Sequence, residues 1–83
     1  MTQVEISLNS IDKVKSFVNT VTKYDYDFDL VSGRYVIDAK SIMGIFSLDL
    51  SRSITLNIHA DEDIDELMEA LAPYIVNKLF RYI

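Results

Sequence analysis

The 83-residue sequence has no cysteine, no tryptophan, one histidine, one proline and two glycines. Without cysteine it can form neither a disulfide framework nor a thiolate-ligated zinc or iron–sulfur site. A single histidine also argues against a catalytic triad or a histidine-rich metal centre, so we expect no cofactor and no metal. No apolar run approaches the roughly 20 residues that span a bilayer, and the first ten residues lack the pattern of a signal peptide.

Acidic residues outnumber basic residues by 13 to 8, which gives a formal net charge of −5. Because every phosphate would repel such a chain, nucleic acid is not an expected partner. Hydrophobic residues make up 49% of the chain and charged residues 25%, which is typical of a globular domain rather than a disordered segment. We therefore expect a single cytoplasmic domain over residues 1–83 that does not bind membranes.

Apolar residues at alternating and helical spacings predict an α+β domain with four strands and three helices. The predicted strands cover residues 3–8, 24–30, 35–39 and 53–59, and the predicted helices cover about residues 10–23, 41–48 and 61–72. Ser10 and Ser41 stand where a hydroxyl caps the first two helices, and Gly33 supplies a hairpin turn. The order β-α-β-β-α-β-α predicts an open-faced β-sandwich, a four-stranded antiparallel sheet with helices on one face.

The C-terminal tail also carries apolar residues at helical spacing, namely Ile75, Leu79, Phe80 and Ile83. Pro73 should end or kink the preceding helix, because it donates no hydrogen bond. We therefore predict a helical extension over residues 72–83 that either packs back on the domain or pairs with another chain. The second option predicts a homodimer.

Two acidic runs are candidates for a cation site, one from Asp61 to Glu69 and one formed by Asp25, Asp27 and Asp29. The run from Asp61 to Glu69 lacks the D-x-D-x-D-G spacing of a calcium-binding loop. Acidic residues in a first helical turn are favoured by the helix dipole in any case. We interpret the run from Asp61 to Glu69 as a solvent-exposed helix start. Asp25, Asp27 and Asp29 crowd one face of a predicted strand, and a weak cation site is the alternative interpretation there.

Residues 39–48, AKSIMGIFSL, resemble one of the most recognisable segments of the HPr family. Members of this family are small phosphocarrier proteins of the bacterial sugar phosphotransferase system, and the family has close regulatory relatives. The flanking segments FVNTVTKYDYDFDL and ITLNIHADEDIDELMEAL are similar to neighbouring parts of the same family. The resemblance covers most of the chain and implies the open-faced β-sandwich that the periodicity also predicts.

The carrier function of that family depends on a histidine at the start of the first helix, within a Gly-x-His-Ala-Arg-Pro segment. By this resemblance, Ser10 stands at the histidine position and Asp12 at the arginine position. A serine phosphate is a stable ester that does not pass its phosphoryl group on, and a carboxylate repels that group. We interpret His59 as an exposed polar residue that cannot substitute. The resemblance thus implies a protein that is not an enzyme and has lost histidine phosphocarrier activity.

Ser41 has two compatible interpretations, as the cap of a short helix and as a regulatory phosphorylation site. The second follows from the resemblance, since a dedicated kinase modifies the serine of this motif in Gram-positive members. Ile42, Met43 and Phe46 form either core contacts or a protein-docking patch, because flexible methionine and an aromatic ring suit adaptable surfaces. In the family, this helix and the histidine region together form the surface that partner proteins recognise.

The leading hypothesis is an HPr-like regulatory or protein-binding module that phosphorylation of Ser41 controls. Its expected partners are phosphotransferase-system or transcription-regulatory proteins. A phosphotransferase component with a relocated acceptor would need an acceptor that the sequence does not reveal. The alternative is a small-molecule-binding or oligomeric α+β domain that shares only the fold, since a fold alone does not determine function.

Overall fold

The computed structural model describes the backbone of residues 1–82 and the side chains of residues 1–76. In chain order the elements are β1 (Thr2–Ile6), α1 (Ile11–Val21), β2 (Phe28–Ser32), β3 (Tyr35–Asp38), α2 (Ile42–Phe46), β4 (Ile54–Ile58), α3 (Asp65–Leu71) and β5 (Ile75–Tyr82). The strands form one antiparallel sheet in the order β3-β2-β4-β1-β5.

Alternation along the inner strands places their apolar side chains on one face of the sheet. Val4, Leu56 and Leu30 lie side by side across β1, β4 and β2, and all three are buried. The helices add their own buried residues to this core: Val14, Phe17, Val21, Ile45, Leu67 and Leu71. The opposite face is polar, and there Gln3 Nε2 donates to Asn57 Oδ1 at 2.8 Å. The predicted open-faced α+β sandwich is confirmed.

The helical tail predicted after Pro73 is wrong, because residues 75–82 form a fifth strand. This strand, β5, pairs with β1 from Ile6 opposite Ile75 to Thr2 opposite Tyr82, with two irregularities in register. Without β5, the outer edge of β1 would present unpaired backbone N–H and C=O groups. The tail therefore packs on its own domain, and the sheet has five strands instead of four. The side chains of Leu79, Phe80 and Ile83 lie outside the described residues.

The other elements are all shorter than predicted, as β2, α3 and α2 illustrate. β2 begins at Phe28 rather than residue 24, and the rings of Tyr24 and Tyr26 instead stack 6.3 Å apart before the strand. α3 begins at Asp65 rather than residue 61, since Asp63 has a positive φ of 58° that an α-helix does not contain. α2 ends at Phe46, two residues before the predicted end.

Candidate protein-docking and phosphorylation site

Ser10 lies immediately before α1, where it caps the helix. Its backbone is extended, and its Oγ accepts a hydrogen bond from the N–H of Lys13 at 3.1 Å. Asp12 is exposed in the first turn, where the positive end of the helix dipole favours a carboxylate. The two residues thus form a well-stabilised helix start, and the predicted cap is confirmed.

Ser41 caps α2 in the same way. Its Oγ accepts the N–H of Gly44 at 3.2 Å, and the residue is exposed. A Cβ atom at position 44 would lie 3.2 Å from this oxygen and 3.4 Å from Cδ1 of Ile37. Glycine at this position therefore allows the cap and the close approach of α2 to β3 at the same time. Such a cap contributes about 1 kcal/mol to stability.

α2 has a buried side and an exposed side, which decides between the two interpretations of its apolar residues. Ile45 within the helix and Leu48 just after it are buried, whereas Met43 is 78% exposed and Phe46 is 42% exposed. Ile42 is half-buried and packs against the core. Exposed apolar side chains grouped on one short helix are typical of a protein-contact surface.

An open pocket of about 590 Å³ connects two of the regions that the sequence singled out. It is lined by Asn9, Ser10, Ile11, Phe46, Leu50 and Ser51, whereas Asp12, Ser41, Ile42 and Met43 are not among its lining residues. The six side chains that line the pocket carry no formal charge. Its lining combines the start of α1 with the exposed ring of Phe46.

Of the pocket-lining residues that the sequence did not single out, Ile11 is the most exposed large apolar one. Its spacing from Val14 and Phe17 assigns it to the buried stripe of α1, but it is 62% exposed. It is the first residue of the helix, ahead of the first buried position at Val14. The signal that could have identified it is its place directly after the capping residue Ser10.

A family model described as "PTS HPr component phosphorylation site" matches residues 13–77. The chain belongs to the HPr family. Among solved structures, HPr-C-His from Thermoanaerobacter tengcongensis is 28% identical, covering 88% of this chain and 89% of that chain, with a TM-score of 0.70. The phosphocarrier protein HPr from Bacillus anthracis str. Ames is 29% identical, covering 90% and 95% respectively, with a TM-score of 0.66. No curated protein sequence matches significantly.

These matches confirm the HPr-like assignment that residues 39–48 suggested. The range matched by the family model includes Ser41, α2 and His59, and it begins after Ser10 and Asp12. HPr proteins carry phosphoryl groups and interact with other proteins of the phosphotransferase system, and they are not themselves catalysts. Membership in the HPr family therefore assigns this chain a non-enzymatic role and a protein partner.

His59, the one histidine of this HPr-family protein, follows β4 and is exposed, as predicted. Its Nε2 lies 2.6 Å from Oδ2 of Asp29 on β2, a contact that the sequence did not predict. The pocket beside this pair, of about 390 Å³, is lined by Asp27, Phe28, Asp29, Asp38, Lys40 and His59. The charged side chains of this pocket other than His59 are three carboxylates and one lysine, so acidic groups predominate around the imidazole.

Among the residues that the structure describes, no three His, Cys, Asp or Glu side chains are grouped so that they could hold a metal ion. Asp65 and Glu66, from the acidic run near α3, occupy the first turn of that helix, where the dipole favours them. In the same part of the chain, no helix is both long and apolar enough to cross a membrane.

Proposed function

We propose that this HPr-family protein is a cytoplasmic regulatory or protein-binding module without histidine phosphocarrier activity. The observation that carries the proposal concerns Ser10, which stands at the position that the resemblance assigns to the phosphorylated histidine. Its hydroxyl caps α1 through the 3.1 Å bond to Lys13. A phosphate on this oxygen would be a stable ester, and the Asp12 carboxylate would repel it. The acidic surroundings of His59 also argue against a relocated acceptor.

Partner proteins in this proposal dock on the α1–α2 surface, which we define as Ile11, Met43 and Phe46. These three side chains are exposed and apolar, and two of them line the uncharged pocket at the start of α1. Methionine adapts its shape to different partners, and an aromatic ring contributes a large contact area. The proposed partners are phosphotransferase-system or transcription-regulatory proteins.

Phosphorylation of Ser41 controls docking in this proposal. Ser41 is exposed and directly precedes Ile42 and Met43 in the chain. A phosphate there adds a charge of about −2 beside an apolar surface, which changes the set of partners that the surface accepts. The phosphate oxygens can still accept the N–H of Gly44, so the fold tolerates the modification.

Two incubations followed by intact mass measurement test the proposed chemistry. With the serine kinase that acts on HPr proteins, we expect one acid-stable phosphoryl group, which Ser41→Ala loses and the matched control Ser47→Ala keeps. With the enzyme that phosphorylates the HPr histidine, we expect no gain in mass. An acid-labile phosphoryl group that His59→Ala abolishes would overturn the loss of carrier activity. Absence of a phosphoryl group on Ser41 would overturn the regulatory role.

The kinase also tests the α1–α2 surface, since it must dock to reach Ser41. We expect Phe46→Ala to lower kcat/KM for Ser41 phosphorylation, because it removes an apolar contact beside the target. Val76→Ala, which truncates an exposed apolar side chain on β5, is the matched control and should leave kcat/KM unchanged. Equal effects of the two variants would contradict docking at this surface.

A further inference from the structure

The outer edge of β3 has no partner strand in the described chain. β3 and β5 are the two outermost strands of the sheet. β3 exposes 69% of Tyr35 and 63% of Val36. Exposed sheet edges are usually protected by short length, lysine, proline or a bulge; β3 is short, but its central residues include no lysine, proline or bulge. This edge is therefore open to pairing with a further strand.

The hydrogen-bond pattern of β3 leaves the backbone of Val36 available. Ala39 N–H donates to the C=O of Phe28 at 2.9 Å. Because alternate residues of an antiparallel strand face the neighbouring strand, Ile37 and Tyr35 also bond to β2. The N–H and C=O of Val36 consequently point away from the sheet, and they have no partner among the described residues. They are a donor and an acceptor for another strand.

The charges beside this edge are also unbalanced. Asp38 lies opposite Asp29 in the β2–β3 register, and like charges in that arrangement repel each other. The Asp29 carboxylate contacts His59, whereas among the described residues the Asp38 carboxylate accepts only the backbone N–H of Lys40, at 2.9 Å. Arg34, in the turn before β3, makes no hydrogen bond or ion pair with the side chains that the structure describes. A cation and an anion thus lie at opposite ends of the same open edge.

We propose that a second copy of this chain pairs antiparallel with β3, around a two-fold axis at Val36. In this register Val36 exchanges both backbone hydrogen bonds with Val36 of the second copy. Tyr35 then lies opposite Ile37 of the second copy, and Arg34 lies opposite Asp38. The segment from Arg34 to Asp38 is therefore complementary to itself, as a two-fold symmetric interface requires. The second copy's arginine supplies the cation that Asp38 lacks.

The expected dimer is weak and concentration-dependent. β3 has four residues, and so short an edge buries well under the roughly 1,200 Å² of a stable interface. None of Ile11, Met43 and Phe46 takes part, so failure of this proposal leaves the proposed function unaffected. The helices of both copies lie on the same side of one continuous sheet.

Sedimentation velocity of the full chain over a range of concentrations tests the proposal, with far-UV circular dichroism confirming that each variant is folded. We expect reversible dimerisation that Val36→Lys and Arg34→Asp each weaken about tenfold or more, because they place charges against the edge or against Asp38. The double charge swap Arg34→Asp/Asp38→Arg should restore association. Lys15→Asp makes the same change from a cation to an anion at an exposed position on α1 and should have no effect.

Three results would overturn the proposal. The first is a wild-type chain that stays monomeric at every concentration. The second is a dimer that Val36→Lys does not weaken, which would place the contact on another surface. The third is a charge swap that fails to restore association, which would rule out the register that pairs Arg34 with Asp38.

Discussion

The hydrogen bond between Ser16 and Tyr74 attaches the start of β5 to α1, and its removal tests why the tail stays on its own domain. The Tyr74 hydroxyl lies 2.6 Å from Ser16 Oγ, and its buried ring meets Phe17 edge-on with centroids 5.5 Å apart. Ser16 Oγ also lies 3.2 Å from the C=O of Lys13. Since a carbonyl only accepts, the serine donates to Lys13 and the tyrosine donates to the serine.

The magnitude follows from what each truncation leaves behind. Tyr74→Phe removes the hydroxyl, while Ser16 stays exposed to water, so we expect a loss of about 1 kcal/mol of unfolding free energy. Ser16→Ala removes the acceptor of the tyrosine hydroxyl, which costs about 1–2 kcal/mol. Higher helix propensity of alanine offsets roughly 0.5 kcal/mol of that loss. A double-mutant cycle of Ser16→Ala and Tyr74→Phe cancels such side effects. It should give a coupling free energy between the two residues of about 1 kcal/mol.

Urea unfolding followed by far-UV circular dichroism measures all four proteins of this cycle. Thr22→Ala is the matched control, because its Oγ1 donates to Asn19 C=O at 3.0 Å on the same helix without contacting Tyr74. Combined with Tyr74→Phe, its effect should be additive. A Ser16–Tyr74 coupling below about 0.3 kcal/mol would refute the assignment of this bond as the anchor of β5.

Two further predictions concern the sheet and the loop before β4. Leu56→Ala should lower the unfolding free energy by about 3 kcal/mol, because it leaves a cavity on the covered face of the sheet. Thr55→Ala, on the open face, should lower it by less than about 1 kcal/mol. Equal losses of unfolding free energy in urea would contradict this assignment of the two faces. Hydrogen bonds from Ser51, first from its hydroxyl and then from its N–H, lower the pKa of the exposed Asp49 carboxyl. A lowered folded-state pKa gives stability that is present above the unfolded pKa and is lost as the pH falls through the folded value. The small advantage of the wild type over Asp49→Asn in thermal unfolding should therefore shrink from about pH 6 to about pH 3, and an advantage that grows would contradict the sign.

The features that the sequence predicted correctly depend on neighbours a few residues apart. The caps at Ser10 and Ser41 bond to the N–H groups three residues later, so the residue type and the start of an apolar pattern are sufficient to predict them. Gly33 has the positive φ that its place in a hairpin suggests. Alternation in β1 and β4 predicts which side chains are buried, because successive side chains of a strand point to opposite faces. The motif from Ala39 to Leu48 indicated the family because all of its residues are contiguous in the chain.

The features that only the tertiary structure determined depend on segments distant in the chain. Apolar residues of the tail fit a helical stripe, but the unpaired edge of β1 makes a strand the conformation that satisfies both backbones. His59 reaches Asp29 because β2 and β4 are neighbours in the sheet. The α1–α2 surface likewise exists only because the start of α1 lies beside Phe46. A local sequence pattern restricts the conformations that a segment can adopt. The segment that folding places beside it then selects one of these conformations, because the backbone hydrogen bonds and the buried area depend on both segments.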